Sequence, residues 1–85
     1  MNFDEKVAVV TGGSKGIGFA IAEALVKAGA KVFICSRDRT ELKHAVEQLS
    51  VHGTAGGEVC DVRSEEQVRM LLEECERVFG GPDVL

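Results

Sequence analysis

No tyrosine and no tryptophan occur among the 85 residues, and proline occurs only once. Without tyrosine, these residues supply no phenolic acid or base. Scarce proline, the absence of any low-complexity run, and 45% apolar against 28% charged residues together exclude a disordered chain. Apolar runs are short as well. The N-terminal MNFDEKVAVV opens acidic and holds only the four-residue run VAVV, which predicts neither a signal peptide nor a membrane span. Basic residues lack clustering: ten Lys and Arg are scattered over a chain of net charge −4. That pattern excludes a nucleic-acid or anionic-membrane partner, which needs grouped cations.

Cysteine is scarce and unpatterned. Cys35, Cys60 and Cys75 are odd in number and form no CxxC spacing, so they are expected as buried, reduced thiols of a cytoplasmic protein, with no disulfide framework and no metal site. His44 and His52 have no partner at metal-ligand spacing and are expected on the surface. A length of 85 residues allows one domain at most, or a piece of one, with a marginal core.

What is present alternates. Residues 6–11, KVAVVT, form a continuous β-branched apolar run, the pattern of a strand buried on both faces. Residues 16–28 read as a helix with Ile17, Ala20, Ile21, Ala24, Leu25 and Ala28 on its apolar stripe, a Glu23–Lys27 pair on the wet side, and Gly29 as its stop. KVFIC, residues 31–35, is a second buried strand. Asp38 and Glu41 then resemble a capping box, opening a helix whose stripe is Leu42, Ala45, Val46 and Leu49 and which ends near Gly53. A third, weaker strand is expected within residues 54–62, centred on EVCDV. Ser64 and Gln67 form another capping box, before a helix burying Val68, Leu71, Leu72, Cys75, Val78 and Phe79. Gly80-Gly81-Pro82 ends it, and Asp83-Val84-Leu85 resembles the opening of a fourth strand. The order β-α-β-α-β-α-β implies right-handed crossovers and a parallel sheet.

The loop TGGSKGIG, residues 11–18, joins the first strand to the first helix. Half of it is glycine, although glycine loses the most backbone freedom on folding. Free N–H groups and the helix dipole make such a junction an anion site, and glycine lets backbone approach the anion. The expected ligand is a phosphate, foremost the pyrophosphate of a dinucleotide; a bare structural turn is the plainer alternative, disfavoured by the placement between buried strand and apolar helix. A P-loop is excluded because no Gly-Lys-Ser/Thr occurs at its end. The GxGxxG fingerprint does not fit either, since the glycines run Gly12-x-x-x-Gly16-x-Gly18.

With FDEKVAVVTGGSKGIG, KVFICSRD, the CDV turn and GGPDVL in that order, the whole chain resembles the short-chain dehydrogenase/reductase family. The resemblance implies an α/β fold: residues 1–85 would form the N-terminal half of a Rossmann-type doubly wound parallel sheet, continuing beyond Leu85. It also implies that Ser14 contacts the adenosine ribose side, that the Ile17 N–H donates to the pyrophosphate, and that Asp61 contacts the adenine amino group while Val62 offers its backbone. A turn or helix-start aspartate is the plainer reading of Asp61.

The position about 20 residues past the glycines, which faces the adenosine ribose in dinucleotide folds, is Ser36, with Arg37 next to it. An acid there would accept the ribose hydroxyls of NAD. A guanidinium suits a 2′-phosphate instead. In the family, a basic residue just before the middle glycine of the motif, here Lys15, accompanies such an arginine in NADP-dependent members. An exposed loop charge is the plainer reading of Lys15, and pairing with Asp38 that of Arg37. NADP is therefore the expected cofactor.

The family moves hydride between the nicotinamide and a carbonyl or alcohol carbon, with a tyrosine as acid/base, a lysine four residues on and an orienting serine. None of those catalytic residues can be placed here. The expectation is an NADP(H)-dependent oxidoreductase acting on a small-molecule ketone or alcohol, homo-oligomeric, with this chain carrying the adenosine- and pyrophosphate-binding part. A non-catalytic NADP-binding module and a structural fragment without ligand are the alternatives.

Overall fold

The computed structural model describes residues 4–83. The β-branched stretch after Lys6 becomes β1 (Val7–Thr11), and the chain continues as α1 (Gly16–Lys27), β2 (Lys31–Ser36), α2 (Arg39–Ser50), β3 (Ala55–Val59) and α3 (Glu65–Phe79). The strands form one parallel sheet in the order β1-β2-β3, with Val7 opposite Lys31 and Val32 opposite Ala55. This is the predicted α/β alternation.

Alternation along β2 divides the core in two. Val32 and Ile34 point to a layer with Ala22 and Val26 of α1 and Leu42, Ala45 and Leu49 of α2. Phe33 and Cys35 point to the other face, with Val7, Val9, Cys60, and Leu71 and Cys75 of α3. Each fully buried aliphatic side chain in these layers contributes roughly 1.5–3 kcal/mol.

Handedness explains why α3 lies opposite α1 and α2. Two successive right-handed crossovers advancing in one direction place their helices on one face. After β3 the chain turns back to β1, which puts the returning helix on the other face. Asp83 arrives at the free edge of β1: its N–H donates to Val7 O at 2.7 Å, and Val7 N–H donates to Asp83 Oδ2 at 2.9 Å. Of the expected fourth strand only Asp83 is described, as a bend beside that edge, and Val84 and Leu85 lie outside the described residues. β1 is thus where the direction of winding reverses. Ligands of open α/β sheets sit at such a point, beyond the carboxyl ends of the strands.

Three sequence expectations are corrected. The core face of α1 is not the Ile17/Ala20/Ile21/Ala24/Ala28 stripe. Ile17 is 82% and Ile21 50% exposed, while Ala22 and Val26 are buried and Phe19 and Leu25 pack beside them. Both sides of this helix are apolar, so spacing alone could not choose between them. On α3, Val78 is exposed rather than buried. β3 ends at Val59, earlier than expected, and begins in the Ala55-Gly56-Gly57 segment. Within that strand, packing demands glycine at residue 57. A Cβ on Gly57 would meet Leu42 Cδ1 at 2.7 Å and Ile34 O at 2.8 Å.

The helix ends behave mostly as read. Gly29 has φ +102° after α1 and Gly80 φ +85° after α3, the left-handed stops that glycine provides. The Glu23–Lys27 pair forms at 3.7 Å. His52 is not solitary, since its Nε2 lies 3.5 Å from Glu23 Oε2. Among the described residues no helix is long and apolar enough to cross a membrane.

Candidate functional site

A cleft of about 560 Å³ opens beyond the carboxyl ends of all three strands. Each strand contributes residues at or just past its last ladder position: Gly12, Ser14 and Lys15 after β1, Ser36, Arg37 and Asp38 around the end of β2, and Cys60 to Arg63 after β3. Glu41, from the first turn of α2, and Cys35 complete the wall. Most of the predicted residues are therefore brought together: Gly12, Ser14, Lys15, Ser36, Arg37, Asp61 and Val62 all line the cleft. Gly16, Ile17 and Gly18 do not; they form the start of α1 beside it.

That helix start differs from the other two. Asp38 caps α2, accepting from the N–H groups of Thr40 and Glu41 at 2.9 and 3.0 Å, and Ser64 caps α3 through Gln67 N–H at 3.2 Å. No side chain caps α1 at Lys15, and its first bond runs from Phe19 N–H to Lys15 O. The N–H groups of Gly16, Ile17 and Gly18 thus have no partner within the helix. Open donors joined to the positive end of the dipole suit an anion.

Glycine keeps this approach clear. Gly12 has φ +68° and Gly16 φ +63°, and a Cβ on either would meet nothing within 4 Å. At Gly18 the reason is contact, because its Cβ would stand 2.3 Å from Gly12 O.

Hydroxyls and charges furnish the walls. Ser36 Oγ, largely buried, accepts from Ser14 Oγ at 3.2 Å and from Asp38 N–H at 3.1 Å. With both lone pairs engaged, the Ser36 hydroxyl keeps its own proton to donate, which favours a ligand rich in acceptors. Lys15 is not the lone loop charge that its position suggests, since its Nζ lies 3.3 Å from Glu41 Oε1. Arg37 does not pair with Asp38, whose carboxylate serves the α2 cap. It is exposed, and no ion pair engages it among the described residues.

Asp61 is bound by a residue that the sequence pattern did not mark. Arg63 donates to Asp61 Oδ1 from its backbone N–H at 2.9 Å and from Nε at 3.1 Å, and to Oδ2 from Nη2 at 2.9 Å. The Arg63 side-chain hydrogen bonds first, then its backbone N–H and the fields of Arg63 and Arg37, bring the Asp61 carboxyl from its ordinary 3.8 down to about 2. The signal was present as an Asp-x-Arg turn. Gln67 Oε1 accepts from Asp61 N–H at 2.8 Å, so it reaches past its own cap to fix the same loop.

A carboxyl with a lowered folded pKa binds its proton more readily in the unfolded chain. Its stabilising contribution is therefore complete above about pH 4 and lost as pH falls towards 2. Arg63→Gln should lower the urea midpoint at pH 6 in dilute salt, with the gap to wild type narrowing as pH falls towards 2. A gap that does not depend on pH would mean that Arg63 stabilises by packing alone.

Cys35 and Cys60 form part of the cleft wall. Burial first, then the hydrogen bond and charge of Cys60, push Cys35 up to about 12. The Cys35 Sγ donates to Cys60 O at 3.4 Å. Neither a thiol so held nor the lowered Asp61 carboxyl exchanges protons near neutral pH.

Comparison with known proteins agrees with this geometry. The family model of the short chain dehydrogenases matches residues 6–85. A tropinone reductase homolog of Arabidopsis thaliana is 42% identical over 77 residues, covering 89% of this chain and 29% of the relative. A putative ketoacyl reductase of Streptomyces coelicolor is 40% identical over 83 residues, covering 96% of this chain and 32% of the relative. Among solved structures, L-sorbose reductase from Gluconobacter frateurii, in complex with NADPH and L-sorbose, superposes with a TM-score of 0.93 at 37% identity, covering 99% of this chain and 33% of that one. The chain thus spans about a third of the length of the proteins it matches.

Proposed function

The chain belongs to the short-chain dehydrogenase family, and from that premise we propose that its cleft is the adenosine and pyrophosphate half of an NADP(H) site. The protein would interconvert a small-molecule ketone and a secondary alcohol. The observation that carries the cofactor choice is Arg37: a guanidinium at the end of β2, in the cleft wall, with no ion partner among the described residues. An acid at this place would favour bare ribose hydroxyls. A fork of donors favours a phosphate.

The remaining residues fit the same ligand. The uncapped start of α1 gives the N–H groups of Gly16, Ile17 and Gly18 to the pyrophosphate, and Gly12 leaves room for it to approach. Ser14 and Ser36 meet the ribose side, where the free Ser36 proton finds an acceptor. Lys15 adds a second charge for the 2′-phosphate. Asp61 and the Val62 backbone, held in place by Arg63 and Gln67, take the adenine edge. When bound, the cofactor supplies hydride exchange at the nicotinamide; the residues of this wall bind and orient it.

Titration of the purified protein with NADPH and with NADH tests the reading. Two charge-assisted contacts of roughly 1.5–3 kcal/mol each should make NADPH tighter by about a hundredfold or more. Equal affinities would refute the 2′-phosphate assignment, and binding of neither nucleotide would remove the cofactor reading altogether.

A further inference from the structure

Glu41 is not among the residues that the sequence marks for ligand contact, yet its carboxylate lines the cleft and engages Lys15 at 3.3 Å. The local chemistry explains why it points there. In a reciprocal capping box Glu41 would fold back to the Asp38 N–H, but Ser36 Oγ already accepts that proton at 3.1 Å. Released from its own cap, Glu41 reaches from α2 to the loop between β1 and α1. The two cations of the cleft not bound to Asp61 are thereby made unequal: Lys15 has a counter-ion, and Arg37 has none among the described residues.

We propose that Glu41 is a specificity-determining residue, a counter-ion that holds Lys15 while no 2′-phosphate is present and that a 2′-phosphate must displace. The proposal rests on the NADP(H) reading of this cleft. A phosphate arriving at Lys15 competes with the carboxylate for one ammonium group. A nucleotide with a bare 2′-hydroxyl leaves the pair closed and loses nothing. Glu41 therefore weakens NADPH binding selectively and narrows the preference that Arg37 creates. Lys15 and Glu41 side chains are 76% and 40% exposed, so the pair is weak enough for a ligand to open.

The test is a binding cycle on the purified protein with wild type, Glu41→Gln, Lys15→Gln and the double variant, each titrated with NADPH and with NADH. Gln keeps the shape and helix preference of Glu. Glu41→Gln should tighten NADPH about three- to tenfold and change NADH by less than about twofold. In the Lys15→Gln background most of that gain should vanish. Unchanged or weaker NADPH binding in Glu41→Gln, with wild type still binding, overturns the proposal alone. A gain that persists in full without Lys15 also overturns it, since Glu41 would then act by direct repulsion. If wild type binds neither nucleotide, the cofactor reading fails and this inference fails with it.

Discussion

Gly18→Ala is expected to lower stability by about 3 kcal/mol or more. The added methyl would lie 2.3 Å from Gly12 O, 2.9 Å from Gly12 C and 3.3 Å from Gly13 Cα. All three are backbone atoms, and no rotamer change relieves the overlap. Nor can the turn drift aside, because Gly12 N–H is bonded to Cys35 O at 3.0 Å and Gly13 lies against Ile34. The remaining response is for α1 to lift off β1, which uncovers Ala22 and Val26 and removes the helix start from the cleft. Gly12→Ala and Gly16→Ala are the controls. Their methyls meet no atom within 4 Å, and the strain is only that of φ +68° and +63°, roughly 1–2 kcal/mol each. Urea unfolding of the three variants separates the two roles of glycine. If Gly18→Ala is no worse than Gly12→Ala, close packing of helix on strand is not what Gly18 serves.

The parts of this structure legible in the sequence share a feature: each is fixed by neighbours close along the chain. β1 and β2 are continuous apolar runs, Asp38 and Ser64 sit at the starts of α2 and α3, and Gly29 and Gly80 adopt the left-handed stops expected of them. The cleft was legible through the same local logic, because its walls are the short loops that leave the carboxyl end of each strand. What sequence did not disclose depends on the third dimension. Which side of α1 faces the sheet depends on Gly18 touching Gly12, and with apolar residues on both sides of the helix periodicity could not report it. The centre of β3 was expected at EVCDV, and its place at Ala55–Val59 becomes intelligible only when Leu42 is seen against Gly57. The partners of Lys15 and Asp61 were hidden differently. Glu41 and Gln67 stand where capping boxes would use them, and each is drawn instead to a group outside its own cap.

Arg37→Glu should abolish the preference for NADPH, shifting the ratio of NADPH to NADH affinity by on the order of a hundredfold or more. The loss has two sources. Removing the guanidinium forfeits charge-assisted hydrogen bonds of roughly 1.5–3 kcal/mol. Placing a carboxylate there sets like charges together at the rim, which adds about 1 kcal/mol or more even with water between them. The same carboxylate accepts ribose hydroxyls, so affinity for NADH should hold or rise. Folding should be spared, because Arg37 is exposed and has no ion pair to lose among the described residues; surface changes of this kind stay within about 0.5 kcal/mol. One local trace is expected. Arg37 helps to hold the Asp61 carboxyl low, and its reversal should raise that value while Arg63 keeps its grip. Arg37→Gln separates the two sources, since it loses the hydrogen-bonded charge without adding repulsion and should fall between wild type and Arg37→Glu. Paired NADPH and NADH titrations of the three proteins read the whole series. A ratio that stays constant across it would place the 2′-phosphate elsewhere and leave Lys15 as the only candidate cation of the cleft wall not already bound to Asp61.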